Sequence, residues 1–199
     1  MRPALGASLA LTLLAAYAPT RLAAQQWRAA AWGGYEGVTD GEDWTALGGQ
    51  LTVGSRRGDA AWIAVERLGR FGAHDVSTRA GLVLRPTARW WLTAEAATSR
   101  EPVFAPKNAW EADATALVAR GSSAGLGYRR QNYALGAVDV VMPHVAVDLR
   151  GVTWEARVFV SRNPSERTDV AALVRATLPL GRRAAAWFGA GAGRESYVV

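Results

Sequence analysis

The chain has 199 residues, 50% of them hydrophobic and 20% charged, with 21 glycines and no cysteine. That apolar content excludes a disordered chain, and the lack of cysteine excludes a disulfide framework, a thiol nucleophile and a cysteine metal site. Of 23 basic residues against 17 acidic ones only Lys107 is a lysine, and the arginines are scattered, so the formal charge of +6 marks no nucleic-acid stripe.

Residues 1–24 read as a cleavable secretory signal peptide. Arg2 supplies the basic start, Leu5 to Ala18 an uncharged, mainly apolar stretch, and Leu22-Ala23-Ala24 the small-residue cleavage site before Gln25-Gln26. An uncleaved membrane anchor is the other reading of this segment. Beyond Ala24 no apolar run reaches the roughly 20 residues that a membrane helix requires. The expectation is an exported chain with one mature domain, residues 25–199.

Along that domain the alanine content invites a helical reading. Trp110, Ala114, Leu117 and Val118 fit a helical stripe as well as a strand face, and so do Val170, Leu173, Val174 and Leu178. Elsewhere alternation decides for strands. Over Val76–Leu84 one face carries Val76, Ala80, Leu82 and Leu84, the other Ser77, Arg79 and Gly81. Over Val152–Val160 the apolar set is Val152, Trp154, Ala156, Val158 and Val160, opposite Thr153, Glu155 and Arg157. A helix would spread these charges around its circumference, whereas a strand gathers them on one face. Turn signals recur at Gly37–Gly41, Arg56–Asp59, Gly72–Asp75, Pro86–Arg89, Pro102–Asn108, Gly121–Ser123, Arg150-Gly151, Asn163–Ser165 and Gly181–Arg183. They leave segments of about 9 to 13 residues, longer than soluble-sandwich strands and matched to tilted membrane-spanning ones. The count is about eleven strands, an odd number for a single-chain bacterial barrel.

Long strands with one apolar and one polar face suit either a soluble barrel or a membrane barrel turned inside out. Two features favour the membrane reading. The polar faces mix charges of both signs with small residues, and Trp27, Trp44, Trp90, Trp91 and Trp110 all open segments, as interfacial aromatic girdles require. The predicted fold is therefore an all-β antiparallel transmembrane β-barrel. Val152, Trp154, Val158, Val160, Val170, Ala172, Val174, Ala176 and Leu178 are expected to meet lipid, and Glu155, Arg157, Arg175 and Thr177 the lumen.

A set of short motifs resembles the YaiO-type outer-membrane β-barrel family. They are Tyr35 with Asp43-Trp44, Glu66-Arg67-Leu68-Gly69-Arg70-Phe71-Gly72 with Asp75, and Ser99 to Pro106. Leu126-Gly127-Tyr128-Arg129 with Tyr133 and Gly191 to Glu195 complete the set. The resemblance implies a bacterial outer-membrane barrel of about 12 strands with suggested links to surface polysaccharide, and it brings no catalytic residues. The chain stops at Tyr197-Val198-Val199 where family members continue, so the expectation is a truncated, unclosed barrel lacking C-terminal strands, or one whose ends pair irregularly. The implied surroundings are outer-membrane lipid and lipopolysaccharide, the barrel-assembly machinery, and an acidic polysaccharide.

Sites of chemistry are sparse. His74 and His144 are the only histidines. His144 with Ser122 or Ser161 is the conceivable start of a hydrolase or acyltransferase triad, but no nucleophile-elbow sequence accompanies it. Both histidines read more simply as turn or rim residues. Asp40-Gly41-Glu42-Asp43 lacks an EF-hand pattern, and the alternating glycines of Gly189–Gly193 lack the strand-to-helix context of a nucleotide loop. No catalytic residue, metal site or cofactor is predicted, and the expected role is structural or passive transport. The candidate ligand-binding residues are lumen charges: Arg79, Arg129, Arg157 and Arg175, with Glu95, Glu111, Asp113 and Glu155. They would either attract an acidic ligand or neutralise one another in a plugging salt-bridge network. A soluble periplasmic β-sandwich or binding module stays open as the alternative from another class.

Overall fold

The computed structural model describes residues 25–36, 44–70, 72–164, 167–180 and 185–193. The predicted signal peptide, the acidic turn at Asp40–Asp43, the Gly181–Arg183 turn and the chain end from Arg194 lie outside the described residues. The described chain is all β. Its strands are β1 (Gln25–Glu36), β2 (Trp44–Ser55), β3 (Ala60–Arg70), β4 (Ala73–Thr87), β5 (Trp90–Ser99), β6 (Asn108–Ala119), β7 (Ser122–Tyr133), β8 (Gly136–Leu149), β9 (Val152–Arg162), β10 (Thr168–Pro179) and β11 (Ala185–Gly193). They form one antiparallel sheet in sequence order, with β1 and β11 as its terminal strands. The eleven strands expected from the turn spacing are thus present, and both stretches compatible with a helical stripe are strands, β6 and β10.

Several predicted turns are shorter than expected, since Pro86-Thr87 belong to β4, Asn108 to β6 and Ser122-Ser123 to β7. His74 belongs to β4, because the reversal is completed at Gly72, whose φ of 70° admits a sharper turn than the sequence suggested. His144 sits inside β8, not at a rim. Between β8 and β9 the whole reversal is Arg150-Gly151, both at positive φ (52° and 81°), the two-residue geometry whose twist matches paired strands.

The described residues cluster into two compact units: those up to Leu84 together with Glu95–Ala109, and Arg85–Ala94 together with those from Trp110 onward. In the first, β3 alternates from Ala60 to Leu68. Trp62, Ala64 and Glu66 lie on the covered face, while Ile63 (52% exposed) and Val65 lie on the open one. In β4 Asp75, Ser77 and Arg79 are covered, and Val76, Leu82 and Leu84 are open.

The second unit repeats the pattern across four strands in register. The row Tyr128, Val141, Val160, Val170 is followed on the open face by Leu126 with Pro143, Val158 with Ala172, and Val145, Ala156, Val174. The covered face carries Arg129 with Val140, His144 with Arg157, and Glu155 with Arg175. The polar side of the sheet is the covered side.

Rings of one strand lie flat over glycines of the next on this covered face. Trp32 covers its register partner Gly48, Trp62 covers Gly81, and His144 covers Gly125. At each of these glycines a Cβ would overlap the ring, so the absent side chain makes the space that the ring fills.

Candidate functional site

In the first unit the covered face begins with a carboxylate held by backbone. Asp75, 2% exposed, accepts the amide N–H groups of Val103 (2.8 Å), Phe104 (2.8 Å) and Ala105 (2.6 Å). One side chain thereby fixes the segment joining β5 to β6, where Glu101 takes a positive φ of 49°. The Ser77 and Ser99 hydroxyls hydrogen-bond at 2.6 Å beneath it. Arg70 lies over the Trp44 ring at 4.0 Å and over Phe104 at 6.0 Å, so a cation–π stack adds to the hold on the segment. Further along, Arg79 stands between Glu66 (3.6 Å) and Glu95 (3.8 Å), and the Trp32 indole N–H donates to Glu66 at 2.9 Å. Arg79 Nε is buried with no hydrogen-bond partner among the described residues, so this guanidinium is held by charge more than by directed bonds.

In the second unit the charges pair from side chain to side chain. Arg129 Nε donates to Glu111 at 2.6 Å. Glu155 takes Arg157 at 3.2 Å on its own strand and Arg175 from the facing position on β10. Between these pairs lies a compact group of Asp113, Thr115 and His144. The Thr115 hydroxyl donates to Asp113 Oδ1 at 2.8 Å and lies 3.1 Å from His144 Nε2. His144 Nδ1 is 3.4 Å from Asp113 Oδ2 and 3.3 Å from the Met142 carbonyl. The Asp113 Oδ2 contact lacks hydrogen-bond geometry, and that oxygen is buried without such a bond. Gly125 and Gly127 on β7 leave room for the group, since a Cβ at Gly127 would stand 2.9 Å from Asp113 Oδ2.

Acid, imidazole and hydroxyl thus meet as they do in a hydrolase triad, but the hydrogen bonds close on themselves. The Thr115 proton points to Asp113, which leaves the hydroxyl tied down and not activated by the imidazole. The serines proposed as partners of His144 are committed elsewhere. Ser122 is at the register of Val147 on the open face, and Ser161 donates to the Asp169 carbonyl at 3.4 Å. Among the described residues no group of three or more histidine or acidic side chains is placed to hold a metal ion.

All eight charges singled out from the sequence lie on the covered face, and each arginine among them has a carboxylate partner. Arg79 and Glu95 pair in the first unit, and the other six lie in the second. Sequence reasoning missed Glu66, Asp75 and Thr115. Alternation in β3 and β6 puts Glu66 and Thr115 on the right face, but nothing in the sequence announces that Asp75 holds a segment beginning 28 residues later. Compared with protein-family models, curated proteins and solved structures, the chain matches none. The functional reading rests on the chain's own chemistry.

Proposed function

We propose that this chain is a bacterial outer-membrane β-barrel protein with a structural or passive transport role, exported by its N-terminal segment and without enzymatic activity. One observation carries the reading: the sheet is inverted relative to a soluble protein. The buried hydrophobic residues among those described are only Ala64, Ala105, Val140 and Met142, whereas the buried polar ones are Asp75, Ser77, Ser99, His144, Asn163 and Asp169. Meanwhile Ile63, Leu82, Val145, Val170 and many other large apolar side chains stand open. Each such side chain left in water forgoes about 1.5–3 kcal/mol of burial, a penalty that disappears when the surrounding solvent is hydrocarbon.

The dimensions agree. From Val141 to Leu149 the open face of β8 is apolar over about 26 Å of strand at roughly 3.3 Å per residue, which at a tilt of about 40° spans about 20 Å of the roughly 25 Å band of outer-membrane barrels. In the second unit Trp90, Trp154 and Phe188 are exposed towards one edge of the sheet and Trp110 towards the other; in the first, Trp27 and Tyr35 mark the two ends of β1. Amphipathic rings in those places suit the two headgroup layers. The resemblance to YaiO-type barrels points the same way. On the covered face the mutual pairing of charges supports a structural lining over an arginine surface that draws in acidic polysaccharide, because Arg79, Arg129, Arg157 and Arg175 are each already paired with a neighbouring carboxylate.

Labelling at single cysteines tests the assignment, the native chain having none. A fluorophore at position 158 in liposomes should be quenched by a membrane-confined quencher and one at position 157 should not; the reverse would overturn the face assignment. Val158→Arg should impair insertion by about 2–4 kcal/mol, far more than Thr153→Arg. Release of the protein by osmotic shock, with quenching at neither position, would establish the soluble periplasmic module instead.

A further inference from the structure

Residues 100–107 join β5 to β6, neighbouring strands whose ends one spacing of about 4.8 Å separates. Two residues complete the reversals at 88–89, 120–121 and 150–151, so this connection is longer than its span requires. Its ends meet, as in an Ω-loop: the Lys107 carbonyl accepts the Ser99 N–H and the Thr98 hydroxyl, both at 3.1 Å. From that base the segment folds back, away from β6, over the covered face of β4 and β3. Asp75 near the start of β4 accepts the amides of Val103, Phe104 and Ala105, and Arg70 at the end of β3 lies over the Phe104 ring. Asp75, Ser77 and Ser99, the buried polar side chains described in the first unit, all lie at this place, and Ala105 is buried with them. Val103, by contrast, stands 74% exposed.

We propose that residues 100–107 form a strap on the lumen side of the sheet, latched by Asp75, that restricts a passive path through the barrel. The inference rests on the membrane reading above, in which the covered face lines the lumen, and it gives the transport role a controlling element. The residues suit a strap. Pro102 and Pro106 bracket the three amides and fix two φ angles, so less conformational freedom is lost when the segment docks. Glu101 takes a positive φ of 49°, a conformation that persists where the surroundings impose it and that clusters in clamps and switch regions. The latch is a single group. All three amides share the Asp75 carboxylate, so they are held together or freed together. A connection lying outside the barrel would have no need of an acceptor on the lining, whereas one laid over the lining covers the carboxylate that holds it.

Ion conductance of the full chain in planar bilayers tests the strap, with insertion followed in parallel by quenching of a fluorophore at position 158. Asp75→Ala removes the latch and should raise the conductance severalfold over that of the native chain. Asp75→Asn exchanges one acceptor oxygen for a donor and should raise it less, and it serves as the release variant if Asp75→Ala does not insert. The exposed position 103 supplies a readout that fold stability does not move. In Val103→Cys, the only cysteine of the chain, a charged methanethiosulfonate reagent should lower the conductance, because the added group stands in the path. A rise in the Asp75 variants with no effect of modification at position 103 would mean general loosening of the barrel and would overturn the strap. Conductance that responds to none of these changes, in protein that inserts, would overturn it as well and leave the membrane reading intact. Absence of quenching at position 158 in the otherwise native chain would overturn both.

Discussion

The covered faces of the two units solve the same problem in different ways. Both carry charges on the covered, polar side of the sheet. In the first unit the most buried acid, Asp75, spends its oxygens on three consecutive backbone N–H groups of a single segment. In the second the acids answer side chains, and the load is shared: Glu155 serves two arginines, while Asp113 has Thr115 and His144 beside it. Backbone donors have no freedom to find another partner, whereas an arginine that loses one carboxylate can swing to water or to a second acid. Loss of one group should therefore be severe and local in the first unit, mild and diffuse in the second.

The largest effect is expected at Asp75. Asp75→Ala leaves the part-buried N–H groups of Val103 and Phe104 and the buried one of Ala105 without their acceptor and should destabilise the protein by about 3 kcal/mol, with faster hydrogen exchange at all three. A loss near 1 kcal/mol, measured by urea unfolding in detergent, would mean that the segment between β5 and β6 is held by the Arg70 stack instead. Next comes Gly125→Ala, which sets a Cβ against the His144 ring and 2.8 Å from the Ala114 carbonyl. Overpacking of this kind costs about 1–3 kcal/mol. Combining it with His144→Ala should recover much of the loss if the ring is the obstacle, and little if the backbone of β6 is. The smallest effect belongs to Glu155→Gln. Its arginine partners are partly exposed, so screening limits the loss to about 1 kcal/mol, and raised salt should narrow the gap between variant and native protein. An effect at Glu155 as large as that at Asp75 would erase the distinction between the two units.

Strand identity and the facing of residues were legible from local chemistry. In Val170–Leu178 the side chains alternate about a flat backbone, so the face of Arg175 follows from its position parity alone, and the structure sets it opposite Glu155 on that face. The same parity separates Glu155 and Arg157 from Val158. Boundaries were less legible where glycine decided them: the reversal at Gly72 is tighter than its polar neighbours suggest, which moves His74 into β4.

The candidate site was half readable. Composition and alternation put Arg79, Arg129, Arg157 and Arg175 on a polar face beside acids, because charge on a strand face is a one-dimensional pattern. Which acid meets which arginine is a matter of register, and register couples residues far apart in the chain: His144 meets Thr115 across 29 residues, and Arg175 meets Glu155 across 20. Tertiary structure alone decided that His144 lies over Gly125 between Asp113 and Thr115, and that Asp75 binds the segment at Val103–Ala105. Those contacts depend on three-dimensional proximity and on backbone N–H directions, neither of which any residue type declares. Which of the two faces is covered was likewise decided by the tertiary structure. The amino-acid order by itself determined the strands and their two faces, one apolar and one polar, since these are set by the alternation of neighbouring side chains.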